Sequence, residues 1–91
     1  MQSKSASMTY KVKFLPSALK EIRALVPEIR DQFKQQLVQR AAAPHQAATQ
    51  LHGFRNVFKI KLRIDGYRLV YSTNDADSVI LVIAVNNLEL T

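Results

Sequence analysis

Phe58-Lys59-Ile60-Lys61-Leu62-Arg63-Ile64-Asp65-Gly66-Tyr67-Arg68-Leu69-Val70-Tyr71 is the stretch on which the reading of this chain turns. Phe58, Ile60 and Leu62 alternate with Lys59, Lys61 and Arg63. Successive side chains of a strand point to opposite faces, so this pattern predicts a strand with one apolar and one basic face. Asp65-Gly66 is a two-residue hairpin signal, because a type I′ turn needs positive φ and glycine adopts it without steric cost. A turn there sets Arg63 against Arg68, Lys61 against Val70, Leu62 against Leu69 and Ile60 against Tyr71. The basic side chains of both strands then share one side of the sheet. Like charges opposite one another are destabilising, so collecting them on one face has no stability rationale. An anionic partner supplies one.

Working outward, strands are predicted over residues 57–63 and 67–72. Upstream, residues 9–15 alternate Tyr10, Val12 and Phe14 against Thr9, Lys11 and Lys13, which predicts a first strand. Pro16 suits a first helical turn, and Ala18, Leu19, Ile22 and Leu25-Val26 follow helical spacing, giving a helix over about 16–25. Pro27 breaks it and opens a second helix with Ile29, Phe33, Leu37 and Ala41 at intervals of four, Val38 broadening the stripe. Pro44 ends that helix near Ala43. Residues 45–50 read as a surface loop and residues 73–77 as a turn. Residues 78–85, Ser-Val-Ile-Leu-Val-Ile-Ala-Val, are nearly all apolar and β-branched, the signature of a strand buried on both faces and therefore central. Residues 86–91 read as a short polar tail. Residues 1–7, Met-Gln-Ser-Lys-Ser-Ala-Ser, read as a leader outside the fold, leaving one domain over 8–91. The order β-α-α-β-β-β predicts an α+β domain: a helical hairpin packed on one face of a mainly antiparallel four-stranded sheet, with the basic residues on the other face.

Composition narrows the function. The 91 residues are 47% hydrophobic, enough for one small packed domain. Without cysteine the chain has no disulfides and no thiolate metal sites, which fits a reducing cytosol. No run approaches the length of a membrane span. The formal net charge is +6, pointing to nucleic acid or another anionic partner. The charge is uneven: between Leu51 and Ser72 stand Arg55, Lys59, Lys61, Arg63 and Arg68, with Asp65 as the single acid.

No metal constellation is evident. His45 and His52 lie seven residues apart without a carboxylate at ligand spacing, and both have a plain reading as loop residues. Two glycines cannot build a phosphate-cradling loop, and no Ser-His-Asp arrangement stands out. Tyr71 reads as core, and Tyr67 is open between core and base stacking. The basic face has two readings. One is a solvated face whose lysines discourage edge pairing; the other is an anion site. Cleavage of RNA by its own 2′-OH needs a base for that hydroxyl, positive charge on the phosphorane-like transition state and a proton for the 5′-oxygen. Clustered cations disfavour one another's protonation, which lets a lysine act as a general base, and arginine offers a fixed fork for phosphate oxygens.

Ala18-Leu19-Lys20-Glu21, Leu51-His52-Gly53, Phe58-Lys59-Ile60-Lys61-Leu62, Gly66-Tyr67-Arg68-Leu69-Val70-Tyr71 and Val82-Ile83-Ala84-Val85 together resemble the RelE toxins of bacterial toxin–antitoxin modules, within the RelE/ParE superfamily. The resemblance implies a RelE-like fold and a ribosome-dependent endoribonuclease that cuts mRNA in the ribosomal A site and needs no cofactor or metal. It implies a RelB-like antitoxin wrapped around the toxin, contact with operator DNA only through that antitoxin, and no membrane partner. It places Lys59, Lys61 and Arg68 on the catalytic positions, with Lys61 as the base and Arg68 on the phosphate. Arg63, His52 and Arg55 fall to RNA binding. The chain departs from the pattern at its end. Leu88 stands where relatives carry a basic residue, and the base-stacking tyrosine has no counterpart, which predicts attenuated turnover. Two alternatives stay open: a ParE-like inhibitor of gyrase, and a module that binds RNA or antitoxin without chemistry.

Overall fold

The structure, a computed structural model, describes residues 9–62 and 66–87. The expected leader, Arg63, Asp65 and Leu88 lie outside the described residues. Strand β1 (Lys11–Phe14) is followed by helices α1 (Pro16–Arg23) and α2 (Pro27–Ala42), a 3-10 turn at Ala47–Thr49, and strands β2 (Val57–Lys61), β3 (Tyr67–Asn74) and β4 (Val79–Asn87). The predicted order and class hold. The 3-10 turn lies within the expected loop, and β4 runs two residues into the expected polar tail.

Both helices begin at a proline preceded by extended backbone, at Leu15 (ψ 149°) and Val26 (ψ 151°). Proline at the first helical position loses only an amide that has no helical acceptor, and it forces the residue before it out of the α region. The two prolines thus start both helices and break the chain between them. On α2, Ile29, Phe33, Leu37 and Ala41 are buried as their spacing predicts, whereas Val38 is 70% exposed. Val38 sits about 100° around the helix from Leu37, off the seam. It lines an open groove of about 590 Å³ between the helices and β1 instead of widening the core stripe. Among the described residues no helix is long and apolar enough to cross a membrane.

The sheet is mixed, in the order β1-β4-β3-β2. β1 runs parallel to β4, and the other neighbours are antiparallel. The apolar strand β4 is central, as its composition predicts. A bulge interrupts the β3–β4 ladder: Val70 pairs Ala84 while Tyr71 pairs Val82, which leaves Ile83 as the extra residue. The helices cover one face, where Phe58, Ile60, Leu62, Leu69, Tyr71, Ile80, Val82 and Val85 close a core with Ala18, Ile22 and the α2 stripe. Each large side chain buried there contributes roughly 1.5–3 kcal/mol.

Tyr71 ties the layers together. Its ring is fully buried and stacks on Phe58 at 5.5 Å. Its hydroxyl donates to Pro44 O at 2.8 Å and accepts from Arg40 Nη1 at 2.9 Å. Arg40 Nη1 also donates to Thr49 Oγ1, fastening the segment after α2. Tyr67 is half-buried and packs against the core, which settles it there and not as a free stacking platform.

Candidate active site

The hairpin closes differently from the Asp65-Gly66 expectation. Observed partners are Val57 with Ser72, Phe58 with Tyr71, Lys59 with Val70, Ile60 with Leu69, and Lys61 with Arg68. Leu62 N–H donates to Tyr67 O at 3.0 Å, so the register of the described pairs is two residues away from the one that a two-residue turn at Asp65-Gly66 sets. Gly66 keeps a positive φ of 69° immediately before β3. A shift of two leaves every side chain on its own face, so the apolar–basic alternation cannot distinguish the two registers. Tertiary contacts choose between them. Tyr71, held by Arg40 and Pro44, stacks on Phe58 directly opposite, and Thr73 N–H continues the ladder to Asn56 O at 2.9 Å.

The consequence is a change in which cation faces Arg68. Lys61 stands directly opposite Arg68, not Val70, and directly opposed Cα atoms are about 5 Å apart. Lys59 lies two residues along β2 on the same face. Lys61 is exposed, and Lys59 and Arg68 are half-buried. This is the sheet face away from the helices. Among the described residues the only ion pair is His45 with Asp75, so no carboxylate there neutralises the three cations. Arg68 Nε is buried, and no described group accepts its proton. A buried donor left unpaired costs about 1–3 kcal/mol, and opposed like charges add a few tenths. An anion on this face would relieve the repulsion between the opposed cations.

The remaining sequence candidates are not gathered here. His52 and Arg55 are exposed in the turn before β2, whereas Lys61 ends that strand, about 13 Å further along at ordinary strand rise. That turn is braced: Gln50 Nε2 donates to Phe54 O at 2.6 Å and to Arg55 O at 2.8 Å, and Gly53 takes φ 88°. On the same sheet face, beyond Lys59, a cleft of about 650 Å³ opens beside Lys13, Ser72, Asn74 and Leu81.

His45, read from the sequence as a plain loop residue, has specific partners. Its Nε2 lies 2.9 Å from Asp75 Oδ1, which also accepts from the Tyr10 hydroxyl at 2.7 Å. The bond to Asp75, then desolvation, pushes the Tyr10 phenol above its usual range. His45 meets Tyr10 and Phe58 edge-to-face. Nothing in the local sequence signals a contact between residues 30 positions apart. Among the described residues no three histidine or acidic side chains group to hold a metal.

Comparison with known proteins supplies the context for this face. Residues 12–87 match the family model described as ParE toxin of type II toxin–antitoxin system, parDE. The chain is 43% identical over 82 residues to the mRNA interferase toxin RelE of Escherichia coli, covering 90% of this chain and 86% of that protein. The crystal structure of isolated E. coli RelE superposes with a TM-score of 0.83 at 42% identity, over 86% of this chain and 83% of that one. The toxin in the intact E. coli RelBE toxin–antitoxin complex superposes with a TM-score of 0.84 at 42% identity, over 88% and 98%.

Proposed function

This chain belongs to the RelE-like toxins of the ParE/RelE family of type II toxin–antitoxin systems, and from that premise we propose that it is an mRNA endoribonuclease working from the face that carries Lys59, Lys61 and Arg68. The observation that carries the reading is the Lys61–Arg68 pair: two cations placed opposite each other on an open sheet face, without a counter-ion among the described residues. A phosphodiester in that position meets a lysine and an arginine fork from adjacent strands. Lys61, the exposed member, takes the proton of the 2′-hydroxyl. That oxygen attacks the adjacent phosphorus, closing a 2′,3′-cyclic phosphate as the bond to the 5′-oxygen breaks, and the 5′-oxygen takes its proton from water. Arg68, half-buried, holds the phosphoryl oxygens through its guanidinium as charge builds on them, and Lys59 adds a second cation. His52 and Arg55 bind RNA outside this row, and Arg63 is a further RNA-binding residue in this reading.

The substrate in this reading is mRNA in the ribosomal A site, and the place of action is the cytoplasm. The partner is a RelB-like antitoxin that covers the toxin and carries the contact with operator DNA. The matching family model bears the ParE name, but the curated relatives at 42–43% identity are named RelE and RelE-like. The retained Lys59, Lys61 and Arg68 fit phosphodiester chemistry.

The deciding experiment is primer-extension mapping of mRNA on programmed ribosomes beside a gyrase supercoiling assay. Cleavage within the A-site codon, lost in Lys61→Ala and Arg68→Ala, is the expected result. Intact mRNA together with inhibited supercoiling would overturn the ribonuclease reading in favour of a gyrase inhibitor.

A further inference from the structure

The motif Ala18-Leu19-Lys20-Glu21 has a use that the reaction does not account for. β1 pairs with β4 only from Lys11↔Val79 to Phe14↔Val82, and Leu15 N–H closes that pairing on Val82 O at 3.0 Å. β4 runs on to Asn87. Its last residues therefore have β3 on one side and, where the chain has turned into α1, no strand on the other. The bulge at Ile83 interrupts the β3–β4 ladder between this end and the rest of β4. The pairs beyond the bulge include Leu69↔Val85 and Arg68↔Asn86.

Glu21 stands in the gap. Its Oε1 accepts the Val85 N–H at 2.8 Å, taking the place of a neighbouring strand's carbonyl. Ala18 at 0% and Ile22 at 5% exposure seat this side of α1 on the sheet, so the carboxylate reaches from a packed helix. The position also runs against helix electrostatics. Glu21 lies near the C-terminal end of α1, where the helix dipole disfavours an acid. The charge-assisted bond to Val85 supplies the reason for an acid there.

We propose that Glu21 is a positioning residue for the site: it holds the end of β4, and through the Asn86↔Arg68 pair it sets the place from which the Arg68 guanidinium meets phosphate. This rests on the role given to Arg68 above, and the test separates the two. Backbone amide exchange is measured by NMR in the wild type, Glu21→Ala and Glu21→Gln. Losing a charge-assisted bond at a strand end speeds local opening by about tenfold or more. Glu21→Ala is expected to accelerate exchange at Val85 and, with it, at Arg68 and Asn86, while amides in the middle of α2 keep wild-type rates. Glu21→Gln keeps an acceptor oxygen without the charge and is expected to exchange between wild type and Glu21→Ala. Acceleration confined to Val85, or none at all, would overturn the proposal. If Glu21→Ala does not fold, Glu21→Asp, one methylene too short, takes its place against Glu21→Gln. On programmed ribosomes, Glu21→Ala should lower kcat about tenfold with KM little changed, and Glu21→Gln should restore part of it, because misplacing a catalytic group costs turnover more than binding. Wild-type cleavage with altered exchange at Arg68 would count against a positioning role. A wild type that cleaves nothing would remove the ribonuclease reading and leave the exchange pattern to decide the strand restraint.

Discussion

Lys61 and Arg68 face each other across β2 and β3, with Lys59 on the same side and no acid paired to any of the three among the described residues. The arrangement spends a little stability on a face suited to phosphate. Lys61→Gln should therefore raise unfolding stability by about 0.2–1 kcal/mol, the usual scale of an opposed like-charge pair. The same substitution should cut mRNA cleavage by about 100-fold or more if Lys61 is the base. Urea unfolding and ribosomal primer extension read the two effects separately. A substitution that lowers stability would show that Lys61 is engaged in the fold.

Arg68 predicts a ligand effect on stability. An anion that binds the folded face and not the unfolded chain stabilises by mass action, about 2.7 kcal/mol at a hundredfold excess over Kd. Inorganic phosphate should raise the melting temperature of the wild type above that in chloride at matched ionic strength. Arg68→Ala should lose most of the difference, since the guanidinium goes with it. Arg68→Lys should restore little, because an ammonium cannot offer the guanidinium fork. An equal phosphate effect in all three proteins would place the anion elsewhere.

Tyr71 links stability to alkaline pH. Burial pushes its phenol above the usual value, and the hydrogen bond and charge of Arg40 offset this only in part. The unfolded phenol ionises first, near its ordinary value of about 10. Its contribution is thus fully present below that pH and is lost as pH rises through the folded value. Tyr71→Phe removes the bonds to Pro44 and Arg40 and should cost about 1–3 kcal/mol at neutral pH. It should also flatten the fall in stability above pH ~10, with Tyr10, whose phenol is likewise raised, leaving a residual slope. Denaturant midpoints across the alkaline range test both statements.

The two apolar residues Phe33 and Val38 on α2 should respond in opposite ways to truncation. Phe33 is fully buried, and Phe33→Ala should cost about 3–5 kcal/mol through lost burial and the cavity left behind. Val38, at 70% exposure, should change stability by less than about 0.5 kcal/mol when replaced by alanine. Thermal or urea unfolding of the two variants makes the comparison, and similar losses would mean that Val38 is covered in solution.

The sequence by itself determined the element order, the helical hairpin, the core stripe Ile29-Phe33-Leu37-Ala41, the centrality of β4 and the face on which the basic residues lie. Each of these rests on a local period or on a proline, and local steric and hydrophobic rules act over a few residues. Lys59, Lys61 and Arg68 were legible as one set for the same reason.

Only the tertiary structure decided the rest. It chose the register that sets Lys61 against Arg68, because alternation of period two is blind to a shift of two and the choice falls to Tyr71, Arg40 and Pro44. It exposed Val38 by placing the α2 seam where the sheet needed it. It brought His45 to Asp75 and Glu21 to Val85, contacts spanning 30 and 64 positions that no local pattern encodes. Hydrogen-bond partners at such distances follow from where the packed layers place unpaired groups. The unpaired end of β4 beside Glu21 exists only because β1 stops four residues after it starts.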